Sequence, residues 1–140
     1  MRFIVLRKAD AETEASMMPT EELIVAMGAY NESMVRAGVM LDGHGLQASS
    51  KGARVRFSKG VPTVIDGPFA ETKELVAGFS ILDVRSKAEA IEWVKRWPQI
   101  DGHGEVDIEI RQLYTLDDFG PSEGIERMKE VGFATPKAHQ

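Results

Sequence analysis

The order of apolar periodicities constrains the fold of this chain of 140 residues more than any other feature. Residues 2–7 alternate as in a strand, residues 20–38 repeat apolar groups at helical spacing, and residues 39–48 form a second strand pattern. The same order of strand, helix and strand returns over residues 76–113. Two such units predict a ferredoxin-like α+β fold, in which an antiparallel sheet carries two helices on one face.

Residues at the ends of the predicted helices support these boundaries. Thr20 is a good N-cap for the first helix. Ser86 and Glu89 form a capping-box pattern for the second helix, which we expect to continue until Pro98 ends it. Residues 105–113 then alternate as the last strand.

A hairpin is inserted between the two units. Ala53–Ser58 and residues 61–65 alternate on either side of Lys59 and Gly60, which suit a tight turn. A sheet with helices on one face leaves its other face uncovered, and apolar side chains on that face need a partner. We therefore expect a homodimer that stacks or joins the sheets of two subunits.

Residues 114–140 differ in character from the rest of the chain. We divide the sequence into a ferredoxin-like domain over residues 1–113 and a C-terminal extension. Ser122 suits the N-cap of a short helix over residues 123–131. The apolar side chains of this helix predict that the extension packs on the body of the protein or on a partner subunit. We expect the last few residues to be disordered.

Composition argues against several classes of function. The net charge of −5 argues against a nucleic-acid-binding surface, which needs a basic patch. The chain has no cysteine, which excludes thiol catalysis, disulfides and thiolate-bound metals. No apolar stretch approaches the roughly 18 residues of a membrane span, and the first strand gains charge too early for a signal peptide. We expect a cytoplasmic protein with no membrane or nucleic-acid partner.

Ionisable residues are concentrated at a Gly-Pro corner that precedes the strand after residue 75. Asp66 comes before the corner, and Glu71 and Lys73 follow it in a predicted helical turn. One interpretation makes Asp66 a turn residue that accepts backbone hydrogen bonds, and the other makes it a general base or a ligand anchor. Glu71 and Lys73 are candidate ligand-binding residues, with Lys73 contacting an anion, and a solvated surface cluster is the alternative.

The sequence Asp-Gly-His-Gly occurs twice, around His44 and around His103. Asp42 and His44 share one face of a strand, with their Cα atoms about 7 Å apart. This spacing suits two groups that bind one ligand. Topology places His103 and the Gly-Pro corner at one end of the sheet, so Asp66, His44 and His103 are the candidate catalytic residues. A loop histidine satisfied by water is the alternative for His103. Internal pseudo-symmetry sends the two copies to opposite ends of the sheet, so we expect no metal site and no cofactor.

The block with the strongest family resemblance consists of Asp66-Gly67-Pro68-Phe69, Glu71, Lys73 and Glu74, followed by Gly78-Phe79. It resembles the DGPF branch of the YCII-related family, and residues 37–39 and 106–111 are similar to that family as well. The resemblance covers residues 1 to about 113 and implies a dimeric α+β barrel of ferredoxin-like subunits. Some YCII relatives are similar to small-molecule enzymes that use a histidine and an aspartate, in one case for a dehydrochlorination. The first helix of this chain contains no histidine, so that pair is not carried over.

Two functions fit these residues, and the sequence leaves open whether any reaction is catalysed. The first is a small-molecule pocket near the Gly-Pro corner, with general acid–base chemistry as a further step. Asp66 is then the base or anchor, and His44 or His103 is its partner. The second is a non-catalytic accessory or sensor module. The resemblance implies this second function, because DGPF members are often encoded beside extracytoplasmic-function sigma factors.

Overall fold

The computed structural model of the chain describes residues 1–133. They form a main sheet, a separate hairpin, four α-helices and several short 3-10 helices. The strands are β1 (Arg2–Lys8), β2 (Met40–Gly45), β3 (Ala53–Ser58), β4 (Val61–Asp66), β5 (Val76–Asp83) and β6 (Ile108–Gln112). The α-helices are α1 (Ala11–Glu14), α2 (Glu21–Arg36), α3 (Lys87–Val94) and α4 (Glu123–Glu130). None of these helices is long and apolar enough to cross a lipid bilayer.

The main sheet is antiparallel and has the strand order β2-β5-β1-β6. Its two central strands, β1 and β5, come from different β-α-β units and pair along nearly their whole length, with Phe3 opposite Leu82. Two interleaved β-α-β units produce this strand order. The structure therefore confirms the predicted α+β fold with an antiparallel sheet.

Helices α2 and α3 cover the same face of this sheet. Phe3 and Leu82 of the sheet are each 1% exposed. They belong to one buried apolar cluster with Tyr30 of α2 and Ala90 of α3. The hydroxyl of Tyr30 donates a hydrogen bond of 2.8 Å to the carbonyl oxygen of Trp93, which joins the two helices directly. Burial raises the pKa of Tyr30 to about 12, so the hydroxyl remains a donor at neutral pH.

Helix capping follows the sequence prediction with one difference. The hydroxyl of Thr20 accepts a hydrogen bond from the N–H of Leu23 (3.2 Å), and the hydroxyl of Ser86 accepts one from the N–H of Glu89 (3.1 Å). The Glu89 carboxylate, however, accepts from the N–H of Arg85 (2.9 Å) and not from that of Ser86. The reciprocal bond of the capping box is therefore displaced by one residue.

The β2, α3 and β6 elements are each shorter than the sequence predicts. β2 ends at Gly45, shortly before the chain turns into a 3-10 helix. α3 ends at Val94, and the N–H of Trp97 donates to the Val94 carbonyl (2.9 Å) in the tighter turn that precedes the proline. β6 begins only at Ile108, after a further 3-10 helix, Asp101–Gly104, and three residues without regular structure.

The inserted hairpin forms where the sequence predicts it and stands apart from the main sheet. Val55 lies opposite Val64, and Phe57 lies opposite Pro62. These pairs give one face of the hairpin an apolar character. Phe57 is nevertheless 66% exposed, so a single chain leaves this face uncovered.

The described part of the C-terminal extension contains the predicted helix. The hydroxyl of Ser122 accepts a hydrogen bond from the N–H of Gly124 (3.1 Å) at the start of α4. Met128 and Phe133 are 42% and 59% exposed. Within a single chain, the extension therefore leaves these apolar side chains uncovered. The predicted disorder of the last residues concerns positions outside the described residues.

Candidate functional site

A cavity of about 940 Å³ opens at one end of the main sheet, between α2 and the segment that contains α1. The apolar part of its wall is formed by Leu23, Met27, Met34, Met40, Leu46 and Trp97. Met17 and Met18 lie at the open side, where they are 60% and 81% exposed. A concave and largely apolar cavity of this size suits a small organic molecule.

The cavity exists because β2 and β5 carry only small side chains, or none, on the helix-facing side at this end of the sheet. Gly43 pairs with Ser80, which is small and buried, and Gly45 pairs with Gly78. Further along the same face of β5, Leu82 belongs to the buried core. A Cβ atom on Gly45 would meet nothing within 4 Å, whereas one on Gly78 would lie 3.1 Å from a backbone oxygen of β2. Gly45 thus leaves open space, and Gly78 allows the two strands to approach.

A buried ion pair forms the polar end of the cavity. Arg7 follows Phe3 and Val5 on the inward-facing side of β1 and is 8% exposed. Its Nε and Nη2 atoms donate to the two carboxylate oxygens of Asp101, at 3.1 and 2.8 Å. Asp101 is equally buried, and it also accepts a hydrogen bond of 2.8 Å from the indole N–H of Trp97. Side chains from β1 and from the segment after α3 therefore meet here.

Asp10 supplies a second carboxylate to the same guanidinium. Its Oδ2 atom accepts a hydrogen bond of 3.1 Å from Nη1 of Arg7, and this nitrogen also donates to the carbonyl oxygen of Lys8 (2.8 Å). The Oδ1 atom of Asp10 accepts from the N–H of Thr13 (2.8 Å), so Asp10 is also the N-cap of α1. The side chain of Asp10 is 31% exposed, against 11% for Asp101. Asp10 is therefore the more accessible of the two carboxylates.

These contacts keep all three groups charged at neutral pH. Burial alone would raise the pKa of Asp101, but hydrogen bonds from Arg7 and Trp97 and the charge of Arg7 outweigh it and lower this pKa. Burial acts in the same way on Asp10, and the Thr13 N–H and Arg7 again leave its pKa lowered. Burial would lower the pKa of Arg7, but Asp101 and Asp10 leave it raised. Two carboxylates and one guanidinium give the cluster a net charge of −1.

Helix α1 covers one side of the cavity mouth and is fastened along its length. Nε2 of His103 lies 2.8 Å from Oε1 of Glu12, which lines the cavity. The carboxylate of Glu14 accepts hydrogen bonds from the N–H (3.0 Å) and the hydroxyl of Ser49. The hydrogen bond to Glu12 and its negative charge raise the pKa of His103. The imidazole at the mouth therefore keeps its proton to a higher pH than an isolated histidine.

The Gly-Pro corner braces the segment on which α1 rests. The N–H of Gly67 donates to the Gly52 carbonyl (3.0 Å), and the N–H of Phe69 donates to the Ser49 hydroxyl (3.0 Å). A Cβ atom at Gly67 would lie 1.7 Å from the Ser49 carbonyl oxygen, so glycine alone fits. The guanidinium of Arg54 lies over the Phe69 ring, 4.0 Å from its centroid. Two hydrogen bonds, from Phe69 to Ser49 and from Ser49 to Glu14, therefore connect the corner to α1.

None of the three predicted site residues at the corner lines the cavity. These residues are Asp66, Glu71 and Lys73. All three are exposed. An Asx-turn at Asp66 would use the N–H of residue 68, and Pro68 has none. The N–H of Gly67 donates to the Gly52 carbonyl instead. The described geometry therefore gives Asp66 neither the expected turn bond nor a place in the cavity wall.

The side chains of Asp42 and His44 are in direct contact, with Nε2 of His44 3.0 Å from Oδ1 of Asp42. The sequence analysis treats the two residues as separate groups that bind one ligand, whereas here their side chains contact each other. An irregularity in β2 between Met40 and Asp42 shifts the alternation, so that Asp42 aligns with Ile81 and His44 aligns with Phe79. The imidazole of His44 packs on the Phe79 ring, with centroids 5.6 Å apart. The strand around His44 borders the cavity, but this register places both side chains on the face away from the helices.

Of the residues that the sequence groups at one mouth, His103 lines this cavity, whereas Asp66 and Glu71 do not. Arg7, Asp10 and Asp101 are not among the predicted site residues. A signal for Arg7 was present, because it continues the buried stripe of Phe3 and Val5 at the spacing of a strand. In the sequence, Asp101 is distinguished only by its position before a Gly-His-Gly sequence. Within residues 1–133, no three histidine, aspartate or glutamate side chains lie close enough to hold a metal ion.

The fold and the cavity define an α+β protein with a candidate small-molecule site at one end of its sheet. An uncharacterised protein of Rhizobium meliloti is 35% identical over 75 residues, which is 54% of this chain and 60% of that relative. The chain thus matches about three-fifths of the length of this curated relative. One similar solved structure is that of 5-chloro-2-hydroxyhydroquinone dehydrochlorinase from Burkholderia phenoliruptrix, in complex with 2,5-dihydroxybenzoquinone. Its sequence is 17% identical to this chain, and the TM-score is 0.42. The match covers 82% of this chain and 96% of that chain. The family model of the YCII-related domain matches residues 1–113, and the chain belongs to this family.

Proposed function

We propose that this protein binds a small organic molecule in the cavity beside α1. The apolar body of the ligand packs against the methionine and tryptophan side chains, and its polar head lies near Asp10. The observation that carries the proposal is the buried, doubly hydrogen-bonded pair of Arg7 and Asp101 at one end of a largely apolar cavity.

Stability alone is a weak reason to retain this ion pair. Removing two charges from water costs several kcal/mol for each ion, and an apolar pair of similar volume often stabilises a fold as well or better. Arg7 is also held by Asp10 and by the Lys8 carbonyl, which fixes its orientation. Fixed polar groups at a cavity wall are what specific ligand binding requires.

Proton transfer is the chemistry that the cavity mouth supports. The pKa of His103 lies above the ordinary value of 6.5, and its imidazole is exposed beside Glu12. Such a group exchanges protons near neutral pH. General acid–base chemistry at His103 is therefore part of the proposal. The corner contacts the segment beside α1 through the N–H groups of Gly67 and Phe69, so the side chains of Asp66, Glu71 and Lys73 have no direct part in this proposal.

The alternative function, a module acting with a sigma factor, keeps only the support of the sequence resemblance. A purely accessory role does not need a cavity with fixed polar groups. Nothing in residues 1–133 favours that alternative over small-molecule binding.

A thermal-shift screen with a matched pair of variants tests the proposed binding. A ligand at about 100 times its Kd adds about 2.7 kcal/mol to the free energy of unfolding. Gly45→Leu extends a side chain into the open space of the cavity and should abolish the shift. Gly28→Leu, on the exposed side of α2 where a Cβ also meets nothing within 4 Å, should retain it. Failure of a broad screen, or equal shifts in both variants, contradicts the proposal.

A homodimer is the second part of the proposal. The sheet face that the helices leave open carries Leu6 opposite Phe79 and Ile4 opposite Ile81. All four side chains are half-buried in the single chain and form a contiguous apolar surface. Such surfaces on soluble proteins mark association sites. Two copies stacked through this face would cover it.

Sedimentation equilibrium at micromolar concentration tests the dimer. The expected mass is twice the subunit mass of 15.5 kDa. Leu6→Lys on the open face should give the subunit mass, and Thr63→Lys, on the polar face of the hairpin opposite Arg56, serves as the control that remains dimeric. A wild-type mass of one subunit contradicts this part of the proposal and leaves the ligand-binding part intact.

A further inference from the structure

The charges around the cavity indicate a class of ligand that its shape alone does not. We infer that the cavity preferentially binds molecules whose polar head is a protonated amine, binds neutral hydrogen-bond donors less tightly, and binds carboxylates and phosphates most weakly. This inference rests on the proposed function, because it concerns the ligand of the same cavity.

Acidic groups outnumber basic groups on the cavity wall. The carboxylates are Asp10, Glu12, Glu22 and Asp101, and the permanent cations are Arg7 and Lys51. With His103 neutral, these groups sum to a net charge of −2, and with His103 protonated they sum to −1. An anionic ligand therefore enters against the charge of the wall in either protonation state of the histidine.

The excess negative charge lies at the buried end of the cavity. At the mouth, Glu12 is paired with His103, and both side chains are well exposed, so water screens them. At the inner end, one guanidinium serves both Asp10 and Asp101. Charges in such partly buried positions interact more strongly than those in water. The inner end therefore dominates the preference for the charge of a ligand head.

Arg7 has little capacity left to bind an anion. Four of its five N–H donors are directed at Asp101, Asp10 and the Lys8 carbonyl. The remaining N–H belongs to Nη2, which lies beside Gly102, 3.3 Å from the position that a Cβ atom would occupy there. A carboxylate ligand could therefore accept two hydrogen bonds from the guanidinium only by displacing one of its existing partners.

Asp10 has the accessible polar atoms at this end of the cavity. Its carboxylate is ionised and accepts one hydrogen bond from Thr13 and one from Arg7. Carboxylate oxygens have further lone pairs, so both can accept from a ligand. The ring of Trp97 also lines the cavity, and aromatic rings tolerate a neighbouring cation. An ammonium or hydroxyl donor on an apolar body fits these surroundings.

Three probes with one apolar body test the inference by isothermal titration calorimetry. Naphthylethylamine, naphthylethanol and naphthylacetate share a ring system and differ in the charge of the head. At neutral pH, the amine should bind the wild-type protein tightest and the carboxylate at least about tenfold more weakly. Competition of the amine by inorganic phosphate should be absent at the same ionic strength.

Asp10→Asn identifies the group responsible, and Asp83→Asn is its control. Asparagine retains the N-cap of α1 while removing one negative charge, so the variant should fold and the amine-to-carboxylate ratio should approach one. Asp83 is exposed near the N-terminus and away from the cavity wall, so its variant should retain the wild-type ratio.

The outcomes separate this inference from the proposed function. Equal affinities for the three probes, lost together in Gly45→Leu, overturn the charge preference and leave small-molecule binding in place. A carboxylate that binds as tightly as the amine, or no binding of the amine, overturns the inference as well. The wider thermal-shift screen then decides the proposed function by itself.

Discussion

Arg7 and Asp101 face each other across two hydrogen bonds, from Nε to Oδ2 at 3.1 Å and from Nη2 to Oδ1 at 2.8 Å. The two residues are 94 positions apart in the sequence and connect β1 to the segment that follows α3. Both side chains are almost completely buried, and both line the cavity. The fold and the candidate site therefore depend on the same pair.

Asp101→Asn should destabilise the protein strongly. The substitution leaves the Arg7 guanidinium buried with a reduced set of charged partners, and breaking one side of a buried ion pair typically costs about 3–5 kcal/mol. Denaturant unfolding measures this loss. Asp42→Asn, which alters a contact with His44 whose side chains are more than half exposed, should cost less than about 1 kcal/mol. Equal costs for the two variants would contradict a structural role for the buried pair.

Acid should weaken the fold through the two carboxylates on Arg7. The folded-state pKa values of Asp101 and Asp10 lie below the ordinary value of 3.8. Their contribution to the free energy of unfolding is therefore fully present above that value and is lost as the pH falls through the lowered pKa values. Denaturant midpoints measured between roughly pH 6 and pH 2, the range in which these carboxylates become protonated, should show this loss of stability. Asp10→Asn should flatten the curve, whereas an unchanged acid dependence would contradict the role of Asp10.

Gly67→Ala should separate the Gly-Pro corner from the segment that supports α1. The new Cβ would overlap the Ser49 carbonyl oxygen at 1.7 Å, and backbone must move to relieve it. Overpacking of this kind costs about 1–3 kcal/mol. Gly28→Ala in α2 meets no atom within 4 Å and should be neutral or stabilise the helix by up to about 1 kcal/mol. Circular dichroism melts of the two variants distinguish a steric effect from a general intolerance of alanine.

Asp66→Asn should leave both the stability and the ligand affinity close to those of the wild-type protein. The side chain is exposed and lies outside the cavity wall. Affinity for a compound found in the thermal-shift screen is the appropriate measurement, with Asp10→Asn as the variant expected to change it. Loss of binding in Asp66→Asn alone would restore this residue as a ligand contact.

The sequence predicted the fold well because strand and helix periodicities are local. Alternation around Phe3 and helical spacing around Tyr30 depend on which side of one element faces the core. Capping at Thr20 and Ser86 is equally local, since each hydroxyl bonds an N–H three residues later. Such features can be deduced without knowing how the elements pack.

The candidate site was harder to predict because it depends on contacts between distant segments. The cluster at Asp66 suggested a site because several charges lie on a rigid Gly-Pro corner. Local sequence, however, does not show whether the side chains of a corner point toward a cavity or toward solvent. An irregularity before Asp42 moved His44 to the other face of the sheet, and strict alternation does not anticipate it. The partner of Arg7 is Asp101, which lies far along the chain. The sequence therefore does not show which group compensates the charge of a buried arginine at this position.

The location of ligand binding is tested most directly by NMR of methionine methyl groups labelled with carbon-13. Five methionines line the cavity, namely Met17, Met18, Met27, Met34 and Met40, whereas Met1 and Met128 do not. Titration with naphthylethylamine should shift the methyl signals of Met27, Met34 and Met40 and leave those of Met1 and Met128 in place. Shifts confined to Met1 or Met128, or no shift at saturating concentration of any compound that stabilises the protein, would contradict binding in this cavity.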